Sequence, residues 1–99
     1  MINYERLGAE IGRLVSEKQL AYGDSFGKAD KVMEILYPNG ISLKQMPDAL
    51  CVLRIVDKLF RIANQKDAFG ESPYEDIAGY GILGMGKANG AKEIVLLEV

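Results

Sequence analysis

Ninety-nine residues, 48% apolar and 26% charged, bound one small soluble domain, residues 1–99, with room for a single core. The net charge of −2, with acids and bases interspersed, argues against a dedicated nucleic-acid surface. One cysteine and no histidine exclude an internal disulfide, Cys–His and Ser–His–Asp chemistry and most zinc sites.

The first expected helix covers Asn3 to about Leu20, where Tyr4, Leu7, Ile11, Leu14 and Val15 recur at three- and four-residue intervals. Such spacing predicts one buried stripe, with Glu5, Arg6, Glu10, Arg13, Glu17 and Lys18 on the solvated face. Those charges also break up any apolar signal-peptide region, and no run approaches the length of a membrane span. Gly23 suits a left-handed helix end, and Asp24 or Ser25 a cap for the next helix. That second helix spans Phe26 to about Tyr37, with Phe26, Val32, Met33 and Leu36 expected inward. Pro38-Asn39-Gly40 ends it as a turn.

Met46-Pro47-Asp48 starts a third helix reaching about Asn64, with Pro47 at its first position and Asp48 favourable to the helix dipole. Its apolar residues spread around most of the circumference, the pattern of a central helix packed on several sides. Cys51 lies among them and is expected buried and inert, which fits a reducing, cytoplasmic setting. Gln65 to Glu71 reads as a polar loop. Ser72-Pro73-Tyr74-Glu75 is a capping box opening a fourth helix that fades near Lys87. Asn89-Gly90 reads as a turn, and Glu93 to Leu97 as a short C-terminal strand or a last helical turn. The expected architecture is all-α, a four-helix bundle-like single domain. Its apolar tail predicts a homodimer or larger homo-oligomer and no membrane partner.

Two glycine patterns are decoys. Gly79-Tyr80-Gly81-Ile82-Leu83-Gly84 spells a dinucleotide fingerprint, and Gly81 to Lys87 resembles a P-loop. Both need a preceding strand, whereas the capping box puts them inside a helix. The stronger signal is the charged stripe Arg54, Asp57, Lys58 and Arg61 on the third helix. It is either the solvent side of a mostly buried helix or a cleft whose cations hold phosphate oxygens. Without histidine, any metal chemistry falls to Asp and Glu, which suits Mg²⁺, with Glu71 and Asp76 as the carboxylates nearest the stripe. Tyr22 and Asp24 are either parts of a helix cap or further ligand contacts, and Tyr80 is a candidate partner for a base.

The blocks Tyr22-Gly23-Asp24-Ser25, Arg54 to Ile62, and Gly70-Glu71-Ser72 leading to Asp76-Ile77-Ala78-Gly79-Tyr80 resemble a phage and prophage family. That family is described as a nucleotide modification associated domain, and the likeness covers roughly residues 15 to 85. More distantly, the chain looks like the all-α nucleoside triphosphate pyrophosphohydrolases of the MazG and dimeric dUTPase type. The resemblance implies a protein of nucleotide metabolism or DNA modification, with hydrolysis dependent on Mg²⁺ if it is catalytic. The paired-acid motifs of those enzymes are absent around Asp57 and Asp76, so binding of a nucleotide or other phosphate compound is favoured over catalysis. The alternative is a non-enzymatic phage protein–protein interaction factor.

Overall fold

A computed structural model describes residues 1–67 and 70–98, and the side chains of residues 1–67 and 70–89. Four helices follow one another: α1 (Tyr4–Tyr22), α2 (Ser25–Leu36), α3 (Met46–Gln65) and α4 (Pro73–Glu98). The arrangement is the all-α, bundle-like one expected, with no strand among the described residues. No helix among them is long and apolar enough to cross a membrane.

The turns follow from local chemistry. Asn3 accepts the Arg6 amide through its side chain at 3.1 Å and so caps α1. Gly23 ends that helix at φ +58°, and Asp24 follows at φ +55°, a left-handed value that Asp tolerates better than most side chains. The Asp24 carboxylate accepts the Gly27 amide at 3.2 Å and the Gln19 side-chain amide at 2.7 Å, so one residue caps α2 and ties it to α1. After α2, Gly40 at φ +86° donates to the Tyr37 carbonyl and closes the turn. Ser42 and Gln45 then bond reciprocally, side chain to amide, at 3.3 and 3.0 Å and lead into α3. Before α4, Ser72 Oγ accepts the Glu75 amide at 3.3 Å, and Pro73 at the first helical position is fully buried.

Helix α3 is central, as its all-round apolar pattern predicts: it packs against α1, α2 and α4. The contacts are made through small residues. Ala21, Ala29, Ala49 and Val56 are the buried apolar side chains among the described residues.

Several expectations are corrected. The α1 stripe Tyr4, Leu7, Ile11, Leu14 and Val15 is exposed rather than buried, because α1 is covered by the rest of the chain only near its C-terminal end. In α2, Phe26 is 92% exposed and Leu36 is exposed as well, while Val32 and Met33 are half-buried. Cys51 is half-buried, its thiol directed at the Tyr80 carbonyl 3.7 Å away. The fourth helix does not fade at Lys87 or turn at Asn89-Gly90; it continues to Glu98, so of the two alternatives for Glu93 to Leu97 the helical one holds and the strand does not. The side chains of the apolar tail lie outside the described residues.

The α1–α2 turn gives the first prediction. A methyl group at Gly23 would meet the Asn64 side-chain amide, which itself donates to the Phe60 carbonyl at 2.6 Å. At Gly40 it would meet nothing within 4 Å. Gly23→Ala should cost about 1–3 kcal/mol through its left-handed backbone and exceed the cost of Gly40→Ala, as measured by urea midpoints.

Candidate functional site

Helices α3 and α4 run antiparallel, and the charged stripe of α3 is met by α4 and the loop before it, rung by rung. At the closed end, Arg61 has no exposed surface. Its Nη1 donates to Glu71 Oε2 at 3.0 Å and its Nη2 to the Glu71 backbone carbonyl at 2.8 Å. The guanidinium also lies 5.9 Å from the centre of the Tyr22 ring. One turn along, Lys58 Nζ pairs with Asp76 Oδ2 at 3.1 Å. A further turn along, Arg54 stands 5.8 Å over the Tyr80 ring. Cys51 reaches the Tyr80 carbonyl, and its sulfur lies 4.0 Å from where a Gly84 side chain would start.

The three sequence blocks are therefore brought together around α3, with different duties. Arg61, expected on an accessible stripe, is fully buried instead, because Tyr22 at the end of α1 and Glu71 just before α4 close over it. Asp24 is used as a helix cap, and Tyr22 packs on Arg61. Asp57 faces away from this ladder, toward α2. Burial pushes its carboxyl above the ordinary value of 3.8, against the neighbouring Lys58 charge and a hydrogen bond from Ser25, which both favour ionisation.

Two cavities flank α3. Asp57 forms part of the wall of one, about 670 Å³ between α2 and α3, where Phe26, Met33 and Leu53 are joined by Asp30 and Glu34. That wall is apolar and acidic, and it repels anions. The other, about 420 Å³, lies between α3 and α4. Arg54, Tyr80, Lys87, Cys51 and Asp48 are among the residues that line it. Lys87 is the functional candidate that the sequence reading passed over. It lies seven residues after Tyr80, two helical turns along one face, a relation visible only once α4 is carried past Lys87.

The expected metal carboxylates, Glu71 and Asp76, each face a cation of α3. Among the described residues no group of three or more His, Cys, Asp or Glu side chains could hold a metal ion. This donor set does not make a protein-only Mg²⁺ cage, and no reaction step is assigned to one.

The chain matches no protein family, no curated protein and no solved structure.

Two measurements test these assignments. Arg61→Ala removes one partner of a buried pair and should cost about 3–5 kcal/mol in urea unfolding, whereas Glu71→Gln should cost less, because the Glu71 side chain is 60% exposed. For Asp57, the folded state binds its proton more tightly than the unfolded state. The stability contribution of this group is therefore best at pH values below 3.8 and falls as pH rises through the elevated folded-state value. The stability of Asp57→Asn relative to the unsubstituted protein should accordingly improve with rising pH across that window and then level off. A difference that stays flat from pH 3 to 7 would contradict this.

Proposed function

We propose that the protein binds a nucleotide or related phosphate-bearing ligand in the α3–α4 cavity, as a homodimer or larger homo-oligomer. The observation that carries this reading is that Arg54, which stands over the Tyr80 ring, lines one cavity together with Tyr80 and Lys87. Two cations suit phosphate oxygens, the guanidinium by forked donation and the ammonium as a point charge. The tyrosine ring offers a flat face to a base. Lys58 and Asp76 lie one turn further in from Arg54, within the same α3–α4 seam. The expected Mg²⁺ carboxylates Asp76 and Glu71 are engaged by Lys58 and Arg61 and do not line this cavity, so the binding reading does not depend on them. The resemblance to nucleotide modification associated proteins, and more distantly to all-α nucleotide pyrophosphohydrolases, points to the same ligand class.

The second reading, a non-enzymatic interaction factor, is favoured by the apolar side chains that α1, α2 and α4 leave exposed.

Calorimetric titration with nucleoside mono- and triphosphates and with pyrophosphate, each with and without Mg²⁺, separates the two readings. Arg54→Ala should weaken the binding of phosphorylated ligands roughly 10–100-fold, the loss expected for a hydrogen bond to a charged group. Lys28→Ala, outside the cavity, should leave it unchanged. Absence of binding heat and of thermal stabilisation with every ligand would remove the first reading and leave the second. A pyrophosphate-release assay on the same samples distinguishes turnover from binding alone.

A further inference from the structure

We infer that the N-terminal two-thirds of α1 is a self-association seam, packed in solution against the same stretch of a second copy of this chain. The inference rests on the homo-oligomeric part of the reading above and is independent of the ligand.

Surface area is the first argument. A folded monomer of 10.9 kDa is expected to expose about 5,600 Å². This chain exposes 8006 Å². The excess, roughly 2,400 Å² over the whole chain, is of the size that one subunit of a large obligate homodimer covers, since such interfaces bury about 2,000–5,000 Å² over both partners, and the exposed face of α1 is one part of it. A partner that came and went would leave behind a chain whose described apolar core is three alanines and a valine. The missing cover therefore belongs to an obligate assembly, and a second copy supplies it without any other component.

The second argument is the helix itself. Helix α1 has 19 residues, and a side chain added at Gly8 or Gly12 within it would meet no other part of the chain within 4 Å. Each interior glycine costs about 1 kcal/mol relative to alanine. Isolated helices of this length are marginal in water even with ideal sequences, so α1 depends on packing. Within its own chain, Ala21 is the only buried residue of α1.

The third argument is the pattern. Tyr4, Leu7, Ile11 and Leu14 are spaced three, four and three residues apart, the repeat by which two helices interlock along a shared seam. All four are exposed, Tyr4 at 74% and Ile11 at 61%. The Arg6–Glu10 ion pair, at 3.4 Å, lies off this stripe and leaves it uncharged as far as Leu14.

The test uses the full chain. Sedimentation equilibrium should return twice the 10.9 kDa chain mass or a higher even multiple. Replacing Leu7 and Ile11 together by Asp should reduce the mass to that of one chain or abolish the folding transition. Because such a variant can simply unfold, thiol cross-linking in a Cys51→Ser background provides the second readout. The pair Leu7→Cys and Ile11→Cys should link two chains whether the seam is parallel or antiparallel. The pair Ala9→Cys and Ser16→Cys, on the opposite face, should not. A single-chain mass for the unsubstituted protein overturns both the seam and the homo-oligomer while leaving the ligand cavity standing. An oligomer whose mass survives the double Asp change, and whose Leu7 and Ile11 thiols link no better than the controls, overturns the seam alone.

Discussion

The structure depends on a charge that has been taken out of water. Arg61 sits where the end of α1, α3 and the approach to α4 meet, and it donates to both the carboxylate and the backbone carbonyl of Glu71. A guanidinium without solvent exposure persists only if its partners are held in place. The Glu71 backbone carbonyl fixes the loop, and the Tyr22 ring fixes the end of α1. Register between α3 and α4 follows: once Arg61 is joined to Glu71, Lys58 falls opposite Asp76 and Arg54 opposite Tyr80. The ladder is polar at its closed end and aromatic at its open end. Its chemistry therefore changes from internal neutralisation to available cation within two helical turns.

That gradient explains why one stripe on one helix does two jobs. Lys58 is largely buried and paired, Arg61 is fully buried, and only Arg54 keeps its charge on the surface of a cavity. Asp57, on the same helix but turned toward α2, belongs to a different environment, where the neighbouring acids Asp30 and Glu34 add no counter-charge. The two sides of α3 thus differ in charge, acidic toward α2 and with Arg54 and Lys87 among the cavity residues toward α4.

Much of the fold is legible in the sequence wherever a residue's role is local. Gly23 and Asp24 announce a left-handed turn and a cap, Pro38-Asn39-Gly40 a break, and Ser72-Pro73 a helix start, because each acts within a few residues of itself. The all-round apolar pattern of α3 likewise announces a central helix. What stays hidden is nonlocal. Helical spacing shows that Arg54, Lys58 and Arg61 share a face, but not that this face is closed by Glu71 and Asp76. The α1 stripe shows that a surface wants cover, but not that its own chain leaves it open. Helix α4 runs through Gly79, Gly81, Gly84 and Gly86 as the capping box implies, although each disfavours it; what stays hidden is its continuation past Lys87.

Those glycines also set how the cavity behaves. One wall belongs to α3, a helix gripped by three neighbours. The other belongs to the stretch of α4 after Tyr80, where Ile82, Leu83 and Met85 are exposed and every second or third residue lacks a side chain. Local opening takes its free energy from contacts and intrinsic helix preference, and this segment has little of either. Backbone amides of residues 81–88 therefore exchange with solvent ahead of those in the middle of α3. The cavity thus has one wall on a helix packed from three sides and the other on a helical stretch with few contacts of its own.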